Sequence, residues 1–397
     1  MKENYNQTLA ACFISYIVQA VINNFAPLLF LMFHNNYNIP LSDITLLITI
    51  NFLLQLLVDL AAIGFVDKIG YKKSIIIAHI FSAAGLIMLT ILPDILSNPF
   101  IGLLISVMIY AIGGGLLEVL VSPIVEACPT SHKEMAMSML HSFYCWGHVG
   151  VVLISTIFFK LAGLHNWKIL AVVWALIPIT NIFFFIKAPI KTLDEERGTT
   201  VSVGSLFKHK LFWIFAVMML CAGACEQAVA QWASTFAESA LHVSKTIGDL
   251  AGPMSFAVFM GISRVFYGKF GEKIDLDKFM IESSILCIAS YLIISIVPNP
   301  VIGLFGCSLC GLSVGIMWPG TYSKAAGSIK GASTAMFALL ALAGDLGCST
   351  GPTLTGFVTG LFGDDFKKGL FAATIFPIIL LIGIITYKLT SKKTAEK

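Results

Sequence analysis

From Pro99 to Ala127 the chain runs without a lysine or arginine, and almost every side chain is apolar. A run this long has few ways to fold. About 20 residues of α-helix, rising 1.5 Å each, cover the ~30 Å hydrocarbon core of a bilayer. Lipid offers no partners for backbone N–H and C=O groups, so a spanning segment must satisfy them internally, and the run reads as a transmembrane helix. Twelve such spans can be drawn, at approximately 8–33, 42–66, 72–93, 99–127, 134–160, 167–188, 210–237, 246–270, 277–297, 300–325, 332–362 and 367–389. The reading is an all-α membrane protein. Composition agrees: 57% of the 397 residues are hydrophobic and 12% charged, whereas soluble domains carry about 25% charged residues.

Most connections between spans are short. The longest, 189–209, contains Asp194-Glu195-Glu196-Arg197-Gly198. It divides the chain into an N-terminal six-helix bundle (1–188), a cytoplasmic linker (189–209) and a C-terminal six-helix bundle (210–397). The apolar run after Met1–Asn6 is too long for a signal-peptide core and lacks an A-x-A-like cleavage site, so it reads as the first span. With the N-terminus inside, twenty of the 25 Lys and Arg fall on the cytoplasmic side; Lys160, Lys168, Lys245, Lys367 and Lys368 fall outside. That bias predicts a multi-pass protein of the cell membrane with both termini cytoplasmic. A net charge of +3 gives no reason to expect nucleic acid. The nine cysteines lie mostly within apolar runs, and the Cys307-x-x-Cys310 pair reads as small apolar filler rather than a redox motif.

Ionisable groups inside spans cost ~2.5 kcal/mol or more at the bilayer centre and mark sites facing the protein interior. Glu118 is one, beside Gly113-Gly114-Gly115, whose missing side chains let a helix or ligand approach. Glu226, Asp345 and Asp59 are the others expected to carry protons. Polar residues four apart share a helix face: Gln19 with Asn23, Asn51 with Gln55 and Asp59, Glu118 with Ser122, Trp318 with Tyr322, Asp345 with Ser349. Gln19, Asn23, Asn51, Gln55, His141, Tyr144, Gln227, Gln231, Trp318 and Tyr322 form the expected substrate-binding set. Each has a plainer reading. Amides also join neighbouring helices, Arg264 also snorkels or pairs with an acid of another helix, and aromatic residues also pack. His141 and His148 with Glu118 offer a weak metal pattern, because a seven-residue spacing is an uncommon ligand pair. No metal or cofactor is expected.

The loop after the second span reads Gly64-Phe65-Val66-Asp67-Lys68-Ile69-Gly70-Tyr71-Lys72-Lys73, and Lys, Gly and Lys recur 201 residues later in Lys269, Gly271 and Lys273. The first resembles the G-x-x-x-D-R/K-x-G-R/K-R/K signature of the major facilitator superfamily. Gly113 to Pro123 resembles the fourth-span motif of the fucose:proton symporter-like permeases, G-x-G-x-x-E followed by N-P, with Ser122 in place of Asn. The first span offers Gln19, Asn23 and Asn24 where the fucose permease has an acid. The resemblance implies two pseudo-symmetric six-helix halves, a monomer, and a buried glutamate at 118 that handles protons and sugar. It also implies gating by Gly64, Asp67, Gly70 and Lys72, with Arg264 joining them. Asp67 would then sit against the start of span 11 near Gly331-Ala332-Ser333, where a helix dipole favours an anion.

A buried carboxylate holds its proton at higher pH, so it can take one up on one side of a membrane and release it on the other. The sequence contains no G-x-x-x-x-G-K-[ST], H-E-x-x-H or G-x-S-x-G. The reading is a secondary transporter and not an enzyme, taking up a small polar solute such as a sugar with protons by alternating access. Its partners would be the solute, protons and the lipid bilayer. The nearest rival is a proton-driven exporter of amphipathic compounds or lipids, for which the 30 Phe and 14 Met would serve.

Overall fold

The computed structural model describes residues 5–129, 133–190, 206–270, 274–329 and 334–395. The chain divides into two compact units, Met1–Arg197 and Gly198–Lys397.

In the first unit, α1 runs Tyr5–Asn24 and continues through a 3-10 turn, Ala26–Leu29, into Phe30–Tyr37. Then follow α2 (Leu41–Ile69), α3 (Tyr71–Ile95), α4 (Pro99–Ala127), α5 (Lys133–Ala162) and α6 (Trp167–Lys187). The second unit has α7 (Lys210–Ala230, then Ala233–Ser239) and α8 (Lys245–Asp249, a π-turn Leu250–Met254, then Ser255–Phe270). It continues with α9 (Leu276–Ile296), α10 (Pro300–Val314, then Met317–Ser328), α11 (Thr334–Leu361) and α12 (Phe366–Ala373, then Ile375–Ala395). Eleven of these rods are long and apolar enough to cross a membrane among the described residues. The remaining one, α11, is of similar length, 28 residues, and carries Asp345 among many Gly, Ser and Thr.

Where the sequence reads as continuous spans, five rods are interrupted. Pro27, Pro253, Pro319 and Pro377 lie at or just after four of the breaks, where a missing N–H and a ring clash oppose a regular helix. Starts are capped by side chains. Asn98 accepts from Phe100 N at 3.0 Å with Pro99 in the first turn, and Asn299 accepts from Val301 N at 2.9 Å with Pro300 in the first turn. These satisfy backbone donors that a helix leaves open. The α2–α3 reversal turns on Gly70, at φ +90° and ψ 145°, backbone that L side chains rarely adopt.

Each helix sorts its side chains by solvent. On α2, Leu53, Leu57 and Leu60 are exposed while Asn51, Gln55 and Asp59 are buried. Apolar out and polar in suits a lipid surround. Glycines set the tightest helix contacts. A Cβ on Gly113 would strike the Ala78 carbonyl of α3, one on Gly115 the Gln55 backbone of α2, and one on Gly147 would crowd Ala20 of α1. In the second unit, side chains at Gly223, Gly347 or Gly351 would run into backbone where α7 crosses α11. All nine cysteines are buried and outside any disulfide, including Cys307 and Cys310.

Candidate functional site

In the first unit, α2 supplies a face of amides and α1 another, because Gln19 and Asn23, like Asn51 and Gln55, are one helical turn apart. They interlock. Gln19 Nε2 donates to Gln55 Oε1 at 2.9 Å and to Glu118 Oε2 at 3.3 Å. Gln55 Nε2 donates to Asn23 Oδ1 at 3.0 Å and Asn51 Oδ1 at 3.1 Å, and Asn51 Nδ2 donates to Asn23 Oδ1 at 3.3 Å. The four amides are buried, and Glu118 is half-buried at their edge. Gly114 makes room for this: a Cβ there would come within 3.1 Å of Gln55 Cδ and 3.2 Å of Gln19 Oε1. The three glycines of α4 thus meet α3, the amide pair and α2 in turn. Gln19 Oε1 is buried without a hydrogen-bond partner among the described residues. Asp59 extends the α2 face one turn further and is buried.

Around this network, Tyr16 OH meets Ser122 Oγ at 3.3 Å, and its ring stands edge-on to His141 at 5.4 Å. Asn24 donates to Tyr144 OH at 3.4 Å. His141 is exposed and His148 buried, so the two histidines do not share an environment.

In the second unit, α7 and α8 bring the other polar group together. Arg264 Nη2 donates to Glu226 Oε2 at 3.1 Å, Gln227 Nε2 to Glu226 Oε1 at 3.3 Å, and Gln231 Nε2 to Gln227 Oε1 at 3.0 Å. Arg264 therefore pairs with an acid of another helix, and the snorkelling alternative gives way. Tyr291 of α9 fixes this stretch of α7 by donating to the Cys225 carbonyl at 2.8 Å. Trp318 and Tyr322 lie edge to face, 6.3 Å apart. Trp318 lies over Gly344, where any Cβ would enter the indole ring, next to buried Asp345.

The signature loop places Gly70 at the turn and sends Lys72 Nζ to the Ala188 carbonyl at 3.1 Å. Ala188 caps the C-terminus of α6, where a cation complements the helix dipole. The surroundings of Gly64, the side chain of Asp67 and residues 331–333 lie outside the described residues.

A buried knot joins α1, α3 and α6 without having been marked by the sequence reading. His79 Nδ1 donates to the Ile75 carbonyl at 2.7 Å, and its Nε2 accepts from Asn181 Nδ2 at 2.8 Å. Asn181 Nδ2 also lies 3.0 Å from the Ala11 carbonyl. His79 and Asn181 are polar residues inside apolar spans, the same signal that marked Gln19 and Gln55. A second group missed by the reading sits at the α7–α8 junction. Lys245 lies 3.2 Å from both Glu238 and Asp249, and Ser234 donates to Asp249 at 2.5 Å.

Comparison with known families decides what this arrangement belongs to. Residues 8–352 match the family model described as Major Facilitator Superfamily. The chain belongs to the major facilitator superfamily. As a superfamily member it is a multi-pass membrane transporter, and its twelve rods are the superfamily's helices. Among solved structures it is similar to the E. coli fucose:proton symporter (N162A), at 15% identity over 97% of this chain and 99% of that one, with a TM-score of 0.68. It is also similar to a bacterial homolog of the human lysosomal transporter Spinster, at 14% identity over 99% and 98%, with a TM-score of 0.75. At such identities the likeness is one of fold. No curated protein sequence matches the chain.

Proposed function

We propose that this superfamily member is a secondary transporter that takes up a small polar solute, such as a sugar, together with protons by alternating access. Glu118 is the principal proton carrier in this reading. The observation that carries it is Gln19 Oε1, buried beside Glu118 with no hydrogen-bond partner among the described residues. While Glu118 is ionised, it accepts from Gln19 Nε2. Once protonated it becomes a donor, and Gln19 offers an acceptor through a turn of its amide. Gln55, Asn23 and Asn51 follow in the same hydrogen-bonded chain, so a proton on Glu118 changes what these amides offer to a solute hydroxyl. Asp59 and Asp345 are assigned secondary roles in proton movement. Asn23, Asn51, His141, Tyr144, Gln227, Gln231, Trp318 and Tyr322 are assigned to solute contact. Gly64, Asp67, Gly70 and Lys72 are assigned to gating. The positive-inside bias orients both termini to the cytoplasm of a cell that holds the protein as a monomer in its cell membrane.

The test is solute uptake into proteoliposomes with and without an imposed proton gradient. The expected result is uptake that rises with inward proton driving force in the native protein. Glu118→Gln would bind solute yet no longer respond to the gradient. Uptake indifferent to both the gradient and Glu118→Gln would sink the proposal.

A further inference from the structure

Arg264 is one of two arginines in the chain and lies within α8. Its neighbours Ile262, Val265 and Phe266 are exposed and apolar, so the lipid-facing side of α8 belongs to them. Arg264 turns instead to Glu226 of α7, leaving side-chain exposures of 20% and 10% for the pair. The pair is held but not sealed. On the Glu226 side, Oε1 is satisfied by the amide of Gln227, the next residue in the chain. Adjacent residues on a helix do not face each other, and this bond is long, at 3.3 Å. Gln231 in turn feeds Gln227. Every hydrogen bond in the series is donated toward one carboxylate.

A site that brings an arginine and one amide donor onto a carboxylate, with a second amide behind the first, is built to hold a carboxylate, and Glu226 occupies it in this structure. Guanidinium groups favour planar anions through charge-assisted bonds. We propose that Arg264 is an anion anchor for which Glu226 is the resident placeholder, and that the transported solute is a small hydroxylated carboxylate. This rests on the transporter reading above and narrows its solute. The solute's carboxylate takes Arg264, its hydroxyls are of the kind that amides such as Gln227 and Gln231 bind, and Glu226 is released.

Charge balance sets the stoichiometry of the exchange. Before it, Arg264 and Glu226 sum to zero. After it, the solute anion and an ionised Glu226 would leave one uncompensated negative charge, which burial penalises. One proton from water, added to a Glu226 oxygen, restores neutrality. Besides Arg264 of α8, the titratable side chains that the packed helices bring to this stretch among the described residues are Cys310 of α10, Cys287 and Tyr291 of α9, and Cys348 of α11. At this pair the exchange is therefore electroneutral, one anion with one proton, and any proton that Glu118 carries is additional to it.

The experiment is ligand binding to the purified full-length protein by thermal shift and calorimetry, using gluconate and glucuronate against glucose and sorbitol. The expected result is stabilisation by the acids and little by the neutral compounds. Arg264→Gln should lose the preference for acids. Glu226→Gln, which removes the competing charge and keeps an acceptor, should bind the acids roughly tenfold or more tighter, the scale of one charged hydrogen bond. The melting temperature of each ligand-free variant reports whether it folds. If Arg264→Gln does not fold, Glu226→Gln decides alone, because a merely structural ion pair would give no gain in acid affinity. Equal response to neutral sugars, no response to the acids, or acid affinity unchanged in Glu226→Gln overturns the proposal. Neutral-sugar binding that is pH-sensitive in the native protein, and retained but no longer pH-sensitive in Glu118→Gln, would overturn the anchor and leave proton-coupled sugar uptake standing. Acid binding that depends on Arg264, with uptake indifferent to a proton gradient, would leave the anchor standing and overturn both proton-coupled uptake and the one-anion, one-proton exchange.

Discussion

Gln55 makes three hydrogen bonds to three different side chains, on α1 and on its own helix. Replacing it with leucine keeps the volume and removes one hydrogen-bond partner from each of Gln19, Asn23 and Asn51. Gln55→Leu should cost about 1–3 kcal/mol, read as a lower melting temperature in detergent, and should abolish solute-dependent stabilisation. Gly70 makes a different demand. Nothing lies within 4 Å of where its Cβ would be, so the whole penalty of Gly70→Ala is backbone strain, about 1–3 kcal/mol, and an unfolding curve should show it. At this scale the sequence was partly legible. Spacing of four puts Gln19 with Asn23 and Asn51 with Gln55 on common faces, and it flags Glu118, but spacing cannot say which faces meet. That Gln19 reaches Glu118, or that Arg264 selects Glu226 from among the buried acids, depends on how α1, α4, α7 and α8 are rotated. His79 and Asn181 went unmarked for a related reason. Neither has a polar partner four residues away in its own span, where residues 75, 83, 177 and 185 are apolar.

Between helices, the controlling residues are glycines. Gly347 and Gly360 both lie on α11, and they make a matched pair. A methyl group at Gly347 would collide with the Leu220 carbonyl of α7, whereas one at Gly360 would meet nothing within 4 Å. Gly347→Ala should therefore lower stability by about 1–3 kcal/mol or more through overpacking. Gly360→Ala should raise it by up to ~1 kcal/mol through helix propensity. Melting temperatures of the two variants, moving in opposite directions, check the close crossing of α7 and α11. Element boundaries were well marked in the sequence. The run at 99–127 coincides with α4, because Asn98-Pro99 is both a cap and a start signal. The same Asn-Pro pair opens α10 at 299–300, 201 residues on, at the spacing of the lysine–glycine repeat. The breaks in α1, α7, α8, α10 and α12 were less visible, because hydropathy continues smoothly across them. Prolines account for four; the break in α7 follows Gln231, and there the Trp232 indole donates to the Pro352 carbonyl of α11.

For the molecule as a whole, the number and kind of elements could be read from apolar runs alone, since lipid leaves helices almost no alternatives. The two units, Met1–Arg197 and Gly198–Lys397, follow from the one long polar connection. The expected orientation is open to a direct check. A protease site and tag placed after Lys397 should be cut in inside-out vesicles and protected in right-side-out ones; the opposite pattern would reverse the topology. The nine buried thiols have a practical consequence. A water-soluble maleimide should find almost nothing to label on the native chain. A single cysteine introduced at exposed Ser97, between α3 and α4, would then be the only reactive handle. Fluorescent or spin probes could thus be placed one at a time without first stripping the protein of its own sulfur.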